Sequence, residues 1–175
     1  MLSKEQYMLD YDSGDNVSIR VNERFYFIFV LSGYHFFVRD NETPVYCLEK
    51  NTAEEKLGEM LKLALSQCRI IDPYENSDFF DRKRIDEDYK EWVGDVLIKC
   101  KFKSIKSLFL NMMSCSIKRI NGNIILQPSL HKKLKDWTRD GYSDDDDIIL
   151  PDTVTNAELG KAIKEVLSRC RSVVK

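Results

Sequence analysis

Apolar residues fill both alternating faces of the segment 25–31, with Phe25, Phe27, Phe29 and Leu31 on one side and Tyr26, Ile28 and Val30 on the other. That pattern marks a central strand covered from two sides. Segments 17–21, 24–31 and 34–39 are therefore predicted as three consecutive strands, with Asn22-Glu23 and Ser32-Gly33 as the turns. A further short strand over 44–48 opens at Pro44, where a missing N–H matters least.

The period then changes to that of a helix. Leu57, Met60, Leu61, Ala64, Leu65 and Cys68 make one stripe behind a capping box of Thr52 and Glu55. Residues 72–81, rich in acids and holding Pro73, read as an exposed loop. A second helix over about 85–100 turns Ile85, Tyr89, Trp92, Val93, Val96 and Leu97 inward, and a shorter one carries Ile105, Leu108, Phe109 and Met112. Segments 115–120 and 123–127 flank Asn121-Gly122, a strong hairpin signal. A brief helical turn is expected from Pro128 to near Trp137, then a polar loop over 138–146 and a strand at 148–150 stopped by Pro151. The last helix starts at a capping box of Thr155 and Glu158.

That last helix repeats the first: Leu159, Gly160, Ala162, Ile163, Val166, Leu167, Ser168 and Cys170 match the offsets of 57–68. A duplication and two unrelated amphipathic helices both fit this. Gly58 and Gly160 sit one turn inside their helices, where glycine costs about 1 kcal/mol relative to alanine. Close packing against a sheet is the expected compensation. The whole reads as an α+β fold, one domain over 1–175, with an antiparallel or mixed sheet and amphipathic helices packed on it.

Composition removes several function classes. The 175 residues are 43% hydrophobic and 32% charged, an ordinary globular balance, and the net charge of −2 leaves no global basic field for nucleic acid or an anionic membrane. The five cysteines follow no ligand or disulfide spacing and read as reduced, packed thiols in a cytoplasmic protein. Residues 1–6 lack the plan of an export signal, and the apolar stretch 25–38 is shorter than the roughly 20 residues of a membrane helix.

Little catalytic chemistry assembles. His35 reads as a core or interface histidine and His131, among Lys132, Lys133 and Lys135, as a solvated face. Asp40 with Glu54 and Lys56 follows the acid-then-Glu-x-Lys pattern of a metal-dependent nuclease, but Glu54 and Lys56 fall in a helical first turn, where charge is ordinary. No cofactor or metal is expected. Two acidic segments stand out: Asp144, Asp145, Asp146 and Asp147 beside Tyr142 and Trp137, and a stretch with Asp78 and Asp81 around Phe79 and Phe80. Solubility accounts for such charge, and so does an acidic surface with aromatic anchors for a basic partner.

The chain also resembles a known family. The run Phe102-Lys103-Ser104-Ile105-Lys106-Ser107-Leu108-Phe109 with Met112 and Cys115 carries the likeness, as does Ile124-Ile125-Leu126-Gln127-Pro128-Ser129-Leu130-His131. Trp137, Ile149-Leu150-Pro151, Glu158-Leu159-Gly160 and, earlier, Arg24-Phe25-Tyr26-Phe27 and Ser32-Gly33-Tyr34 complete it. In these the chain is similar to the CdiI immunity proteins of contact-dependent growth inhibition. The resemblance implies a bacterial cytoplasmic protein that binds the C-terminal toxin domain of a CdiA effector, often a nuclease; the free chain is expected to be a monomer. No direct nucleic-acid or membrane contact is expected, and the motifs of the resemblance include no catalytic residue. It assigns no interface residue either. A metal-dependent nuclease and a stand-alone regulatory binding module are the competing readings.

Overall fold

A computed structural model describes residues 14–175, so the segment 1–6 expected to lack an export signal lies outside the described residues. The first half contains β1 (Asp15–Val21), β2 (Phe25–Tyr34), β3 (Phe36–Arg39), β4 (Tyr46–Glu49) and α1 (Glu54–Ser66). Two helices follow, α2 (Arg82–Lys99) and α3 (Ile105–Phe109). The second half contains β5 (Met113–Ile120), β6 (Asn123–Gln127), β7 (Leu130–Lys133), β8 (Asp136–Thr138), β9 (Ile148–Pro151), α4 (Asn156–Ser168) and β10 (Arg171–Ser172). The fold is α+β.

The main sheet is antiparallel and runs β3-β2-β1-β5-β6-β9, with β4 also pairing β2. The two faces of β2 go where its pattern sends them. Tyr26, Ile28 and Val30 enter a core with Leu57, Leu61, Ala64 and Leu65 of α1 and Leu159, Ile163 and Val166 of α4. Phe27 and Phe29 enter a second core with Trp92, Val93 and Val96 of α2 and Leu108, Phe109 and Met112 around α3. Trp92 fixes that aromatic core edge-on, with ring centroids 5.5 Å from Phe27 and 4.8 Å from Phe29.

The helix repeat extends to the strands. Each half lays out a three-stranded unit followed by a helix, β1-β2-β4-α1 and then β5-β6-β9-α4, and the two units meet along β1 and β5. Their registers agree: Val21 pairs Tyr26 and Phe25 pairs Glu49 in the first, as Arg119 pairs Ile124 and Asn123 pairs Pro151 in the second. Even the thiols match, since Cys68 Sγ donates to Asn16 O of β1 (3.0 Å) and Cys170 Sγ to Ser114 O of β5 (3.3 Å). Burial pushes the Cys68 thiol up to about 11. All five thiols are free.

The helical glycines compensate differently from expectation. A Cβ on Gly58 would lie 1.9 Å from Asn156 O, and one on Gly160 would lie 1.9 Å from Glu54 O. Each glycine thus admits the first turn of the opposite helix rather than the sheet. Other expectations also shift. The Thr155–Glu158 capping box forms, whereas α1 starts at Ala53 without a side-chain cap. Residues 130–138 form the strands β7 and β8 instead of a helical turn, because Leu130 and His131 pair with β10 on one side and with Thr138 and Trp137 on the other. His131 is fully buried, its ring stacked on Trp137 at 4.7 Å, so the solvated reading is corrected. His35 is exposed at positive φ (59°) in the β2–β3 turn, which corrects its core reading and moves that turn beyond Ser32-Gly33.

Candidate partner-binding surface

The acidic run following Ser143 is organised from within. Asp144–Asp146 form one 3-10 turn, where Ser143 N donates to the Asp146 carboxylate (2.8 Å) and Asp145 N to Ser143 Oγ (3.3 Å). Asp147 turns inward with 5% side-chain exposure, accepting from Arg139 Nη2 (2.9 Å) and Gln127 Nε2 (2.8 Å). Arg169 Nη1 donates to Asp146 O at 2.8 Å. Arg139 and Arg169 thus offset the repulsion of adjacent carboxylates, leaving Asp144 and Asp145 as the exposed members.

The aromatic residues near it are structural. Tyr142 lies between the guanidinium groups of Arg171 (4.4 Å) and Arg139 (5.6 Å), and its hydroxyl donates to Arg169 O at 2.6 Å. Trp137 has His131 on its ring and Arg20 at 4.5 Å, and its Nε1 donates to Met112 O at 2.9 Å. Both rings are half-buried.

The other acidic segment does present an apolar surface. Asp78, Phe79 and Phe80 lie in a 3-10 turn at Ser77–Phe80, and Asp81 caps α2 by accepting from Arg84 N at 2.9 Å. Phe79 packs edge-on against Phe80 at 5.0 Å, and Phe80 reaches Phe36 at 6.4 Å. Phe36 is 60% exposed and Ile70 58%, with Tyr74 exposed as well. A parallel bridge between Gly33 and Ile70 brings the loop beside the hairpin tip. A cleft of about 470 Å³ runs along this region, lined in part by Glu42, Ile70, Glu75, Asp78 and Phe79. Sequence reading missed Phe36, Ile70 and Tyr74, because nothing in a local pattern shows that a hairpin tip and a distant loop share one surface.

The two acidic segments are not brought together. One adjoins β3 and the other leads directly into β9, the opposite borders of the main sheet. Those borders are also open: among the described strands β9 pairs only β6, and β3 and β4 pair only β2. Exposed Ile149 (61%) lies on β9. Unpaired strand edges accept a partner's strand through main-chain hydrogen bonds.

Asp40 is committed elsewhere. Its carboxylate accepts from Ser32 Oγ (2.7 Å), Arg69 Nε (2.6 Å), Arg69 Nη2 (2.8 Å) and Glu42 N (3.0 Å). Glu54 and Lys56 lie in the first turn of α1. Among the described residues no group of three or more His, Cys, Asp or Glu is placed to hold a metal ion, and no helix is long and apolar enough to cross a membrane.

Residues 15–170 match the family model for CdiI, the CDI immunity protein. The immunity protein CdiI-YPIII of Yersinia pseudotuberculosis serotype O:3 (strain YPIII) is 29% identical over 166 residues, covering 88% of this chain and 94% of that protein. A Neisseria meningitidis protein of unknown function superposes with a TM-score of 0.84 at 34% identity, covering 92% of this chain and 98% of its own. A chain of the CdiA-CT/CdiI toxin and immunity complex from Yersinia pseudotuberculosis superposes with a TM-score of 0.82 at 27% identity, covering 89% and 97% respectively.

Proposed function

We propose that this chain, which belongs to the CdiI family of CDI immunity proteins, binds and blocks the C-terminal toxin domain of a cognate CdiA effector in the cytoplasm. The observation that carries this reading is the likeness to a chain of a solved toxin and immunity complex over nearly its full length. The block is stoichiometric and needs no turnover. Asp40, the acid of the nuclease-like pattern, is held instead by Arg69 and Ser32. The free protein is a monomer, and the toxin is a nuclease. A nuclease grips phosphate and is basic, and the exposed carboxylates of Asp78, Asp81, Asp144 and Asp145 suit such a surface.

The toxin-facing centre is the patch of Phe36, Ile70, Tyr74, Phe79 and Phe80, bordered by Asp78 and Asp81. Asp144 and Asp145 contribute long-range attraction, while Asp146, Asp147, Tyr142 and Trp137 hold their own segment in shape. The test is titration of the purified chain against the toxin domain encoded beside it, with toxin activity as readout. Activity should fall linearly and vanish at one chain per toxin. Inactivation by substoichiometric chain, or the absence of a complex, would overturn the reading.

A further inference from the structure

A cavity of about 290 Å³ lies between the sheet and α2, walled by Phe29, Leu31, Phe37, Val38 and Ile85 and by three arginines, Arg20, Arg39 and Arg84. Among the described residues, the buried side-chain nitrogens without a hydrogen-bond partner are Arg20 Nε, Arg39 Nε and Arg84 Nη1. All three belong to arginines that line this cavity. Buried donors in folded proteins almost always meet a protein or ordered-water acceptor, so three such donors on neighbouring side chains mark a place where an acceptor group can bind.

Each guanidinium is anchored on one side only. Arg39 Nη1 donates to Asp88 (3.2 Å), and Arg20 Nη1 donates to Tyr89 Oη (3.2 Å) while Phe29 and Trp137 flank its plane at 5.0 and 4.5 Å. Both side chains therefore keep the Nε–Nη2 edge, the fork that grips a carboxylate side-on. The same protein shows that fork in use, where Arg69 holds Asp40 through Nε and Nη2 at 2.6 and 2.8 Å. Arg84 directs Nε and Nη2 to Phe79 O and leaves Nη1. The two lining acids offset only part of this charge: Asp88 engages one edge of Arg39, and Asp86 pairs with Arg82, which is not in the lining.

We propose that this cavity is a carboxylate-binding site, taking an acid whose attached apolar group packs on Phe29, Leu31, Phe37, Val38 and Ile85. The acid is either an Asp or Glu side chain of a docking protein or a free small carboxylic acid. The walls disfavour a wholly polar, tetrahedral oxyanion, which leaves the apolar lining without contacts.

Phenylacetate and inorganic phosphate are the probes, added separately to the intact protein while the arginine Nε–H resonances are followed by NMR. Phenylacetate should shift the Arg20 and Arg39 signals saturably and bind more tightly than phosphate. Arg39→Gln or Arg84→Gln should weaken it about tenfold, the effect of one charge-assisted pair. Asp88→Asn should tighten it, because the variant frees the competing edge of Arg39, an effect that a purely structural role would not produce. Absent shifts, binding unchanged in both Arg84→Gln and Asp88→Asn, or tighter binding of phosphate would each overturn the assignment. Adding the toxin domain then separates the sources: displacement of phenylacetate identifies a side chain of the partner, and simultaneous binding identifies a free acid. The probe titration stands whether or not the toxin binds.

Discussion

Asp40 has no exposed surface, yet donors meet its carboxylate from three directions: Ser32, Arg69 and the backbone of Glu42. Burial alone would raise its pKa, but the hydrogen bonds from Arg69, Ser32 and Glu42 outweigh that and hold it below the ordinary carboxylate range. A carboxyl whose folded pKa is lowered adds stability above its unfolded pKa and loses it as pH falls through the folded value. Asp40→Asn should therefore destabilise the protein at neutral pH by about 1–3 kcal/mol, toward the low end because Arg69 is partly open to solvent. Denaturant titrations of both proteins should show the difference shrinking below about pH 4; a difference that persists at lower pH would mean the ion pair is not its source. None of this was legible in the sequence. Arg69 lies 29 residues from Asp40, so the acid looked available for a metal until the fold supplied its partner. His131 misled for the same reason: its lysine neighbours in sequence are solvated, while its neighbour in space is the Trp137 ring.

The elements were far more legible than the side-chain partners. The stripes of α1 and α4, the double-faced apolar pattern of β2 and the hairpin at Asn121-Gly122 all appear where periodicity and turn chemistry put them. Segments β7 and β8 escaped because four and three residues are too short to set a period, and the other partner of β7 is the distant strand β10. Leu61 and Ile163 are fully buried at equivalent places on α1 and α4. Truncating either to alanine should cost about 2–5 kcal/mol in denaturant melts; losses below about 1 kcal/mol at both would contradict this packing. Gly58→Ala and Gly160→Ala should each lose about 1–3 kcal/mol despite alanine's better helix propensity, because the new Cβ meets a backbone carbonyl that cannot swing aside. The two glycines relieve one helix–helix contact from opposite sides, so the double variant should cost less than the sum of the singles. Additive losses would mean that the contacts are independent.

At the scale of the whole molecule, a repeated unit makes a symmetric frame and the connections between its parts break the symmetry. The matched registers of β1-β2-β4 and β5-β6-β9 would leave one sheet face bare; the segment carrying α2 and α3 covers that face only over the first unit. The same segment supplies the 3-10 turn that lies against Phe36, so the device that completes the second core also builds the exposed aromatic and acidic patch. On the proposed reading, toxin recognition would rest on inserted structure rather than on the repeat. Two pairs of substitutions test where the toxin arrives. Asp78→Asn with Asp81→Asn removes charge at the patch while asparagine preserves the cap of α2, and Asp144→Asn with Asp145→Asn removes it at the opposite border. Steering charges act chiefly on association and are screened beyond about 8 Å at physiological ionic strength. The first pair should therefore slow toxin association several-fold at low salt and by less at high salt, with a smaller effect from the second pair. Phe36→Ala should instead speed dissociation, as loss of a desolvated aromatic anchor does. Association rates unchanged in both acidic variants, without salt dependence, would reduce these carboxylates to solubility groups and move the contact to the unpaired edge of β9, where main-chain pairing needs no particular side chain.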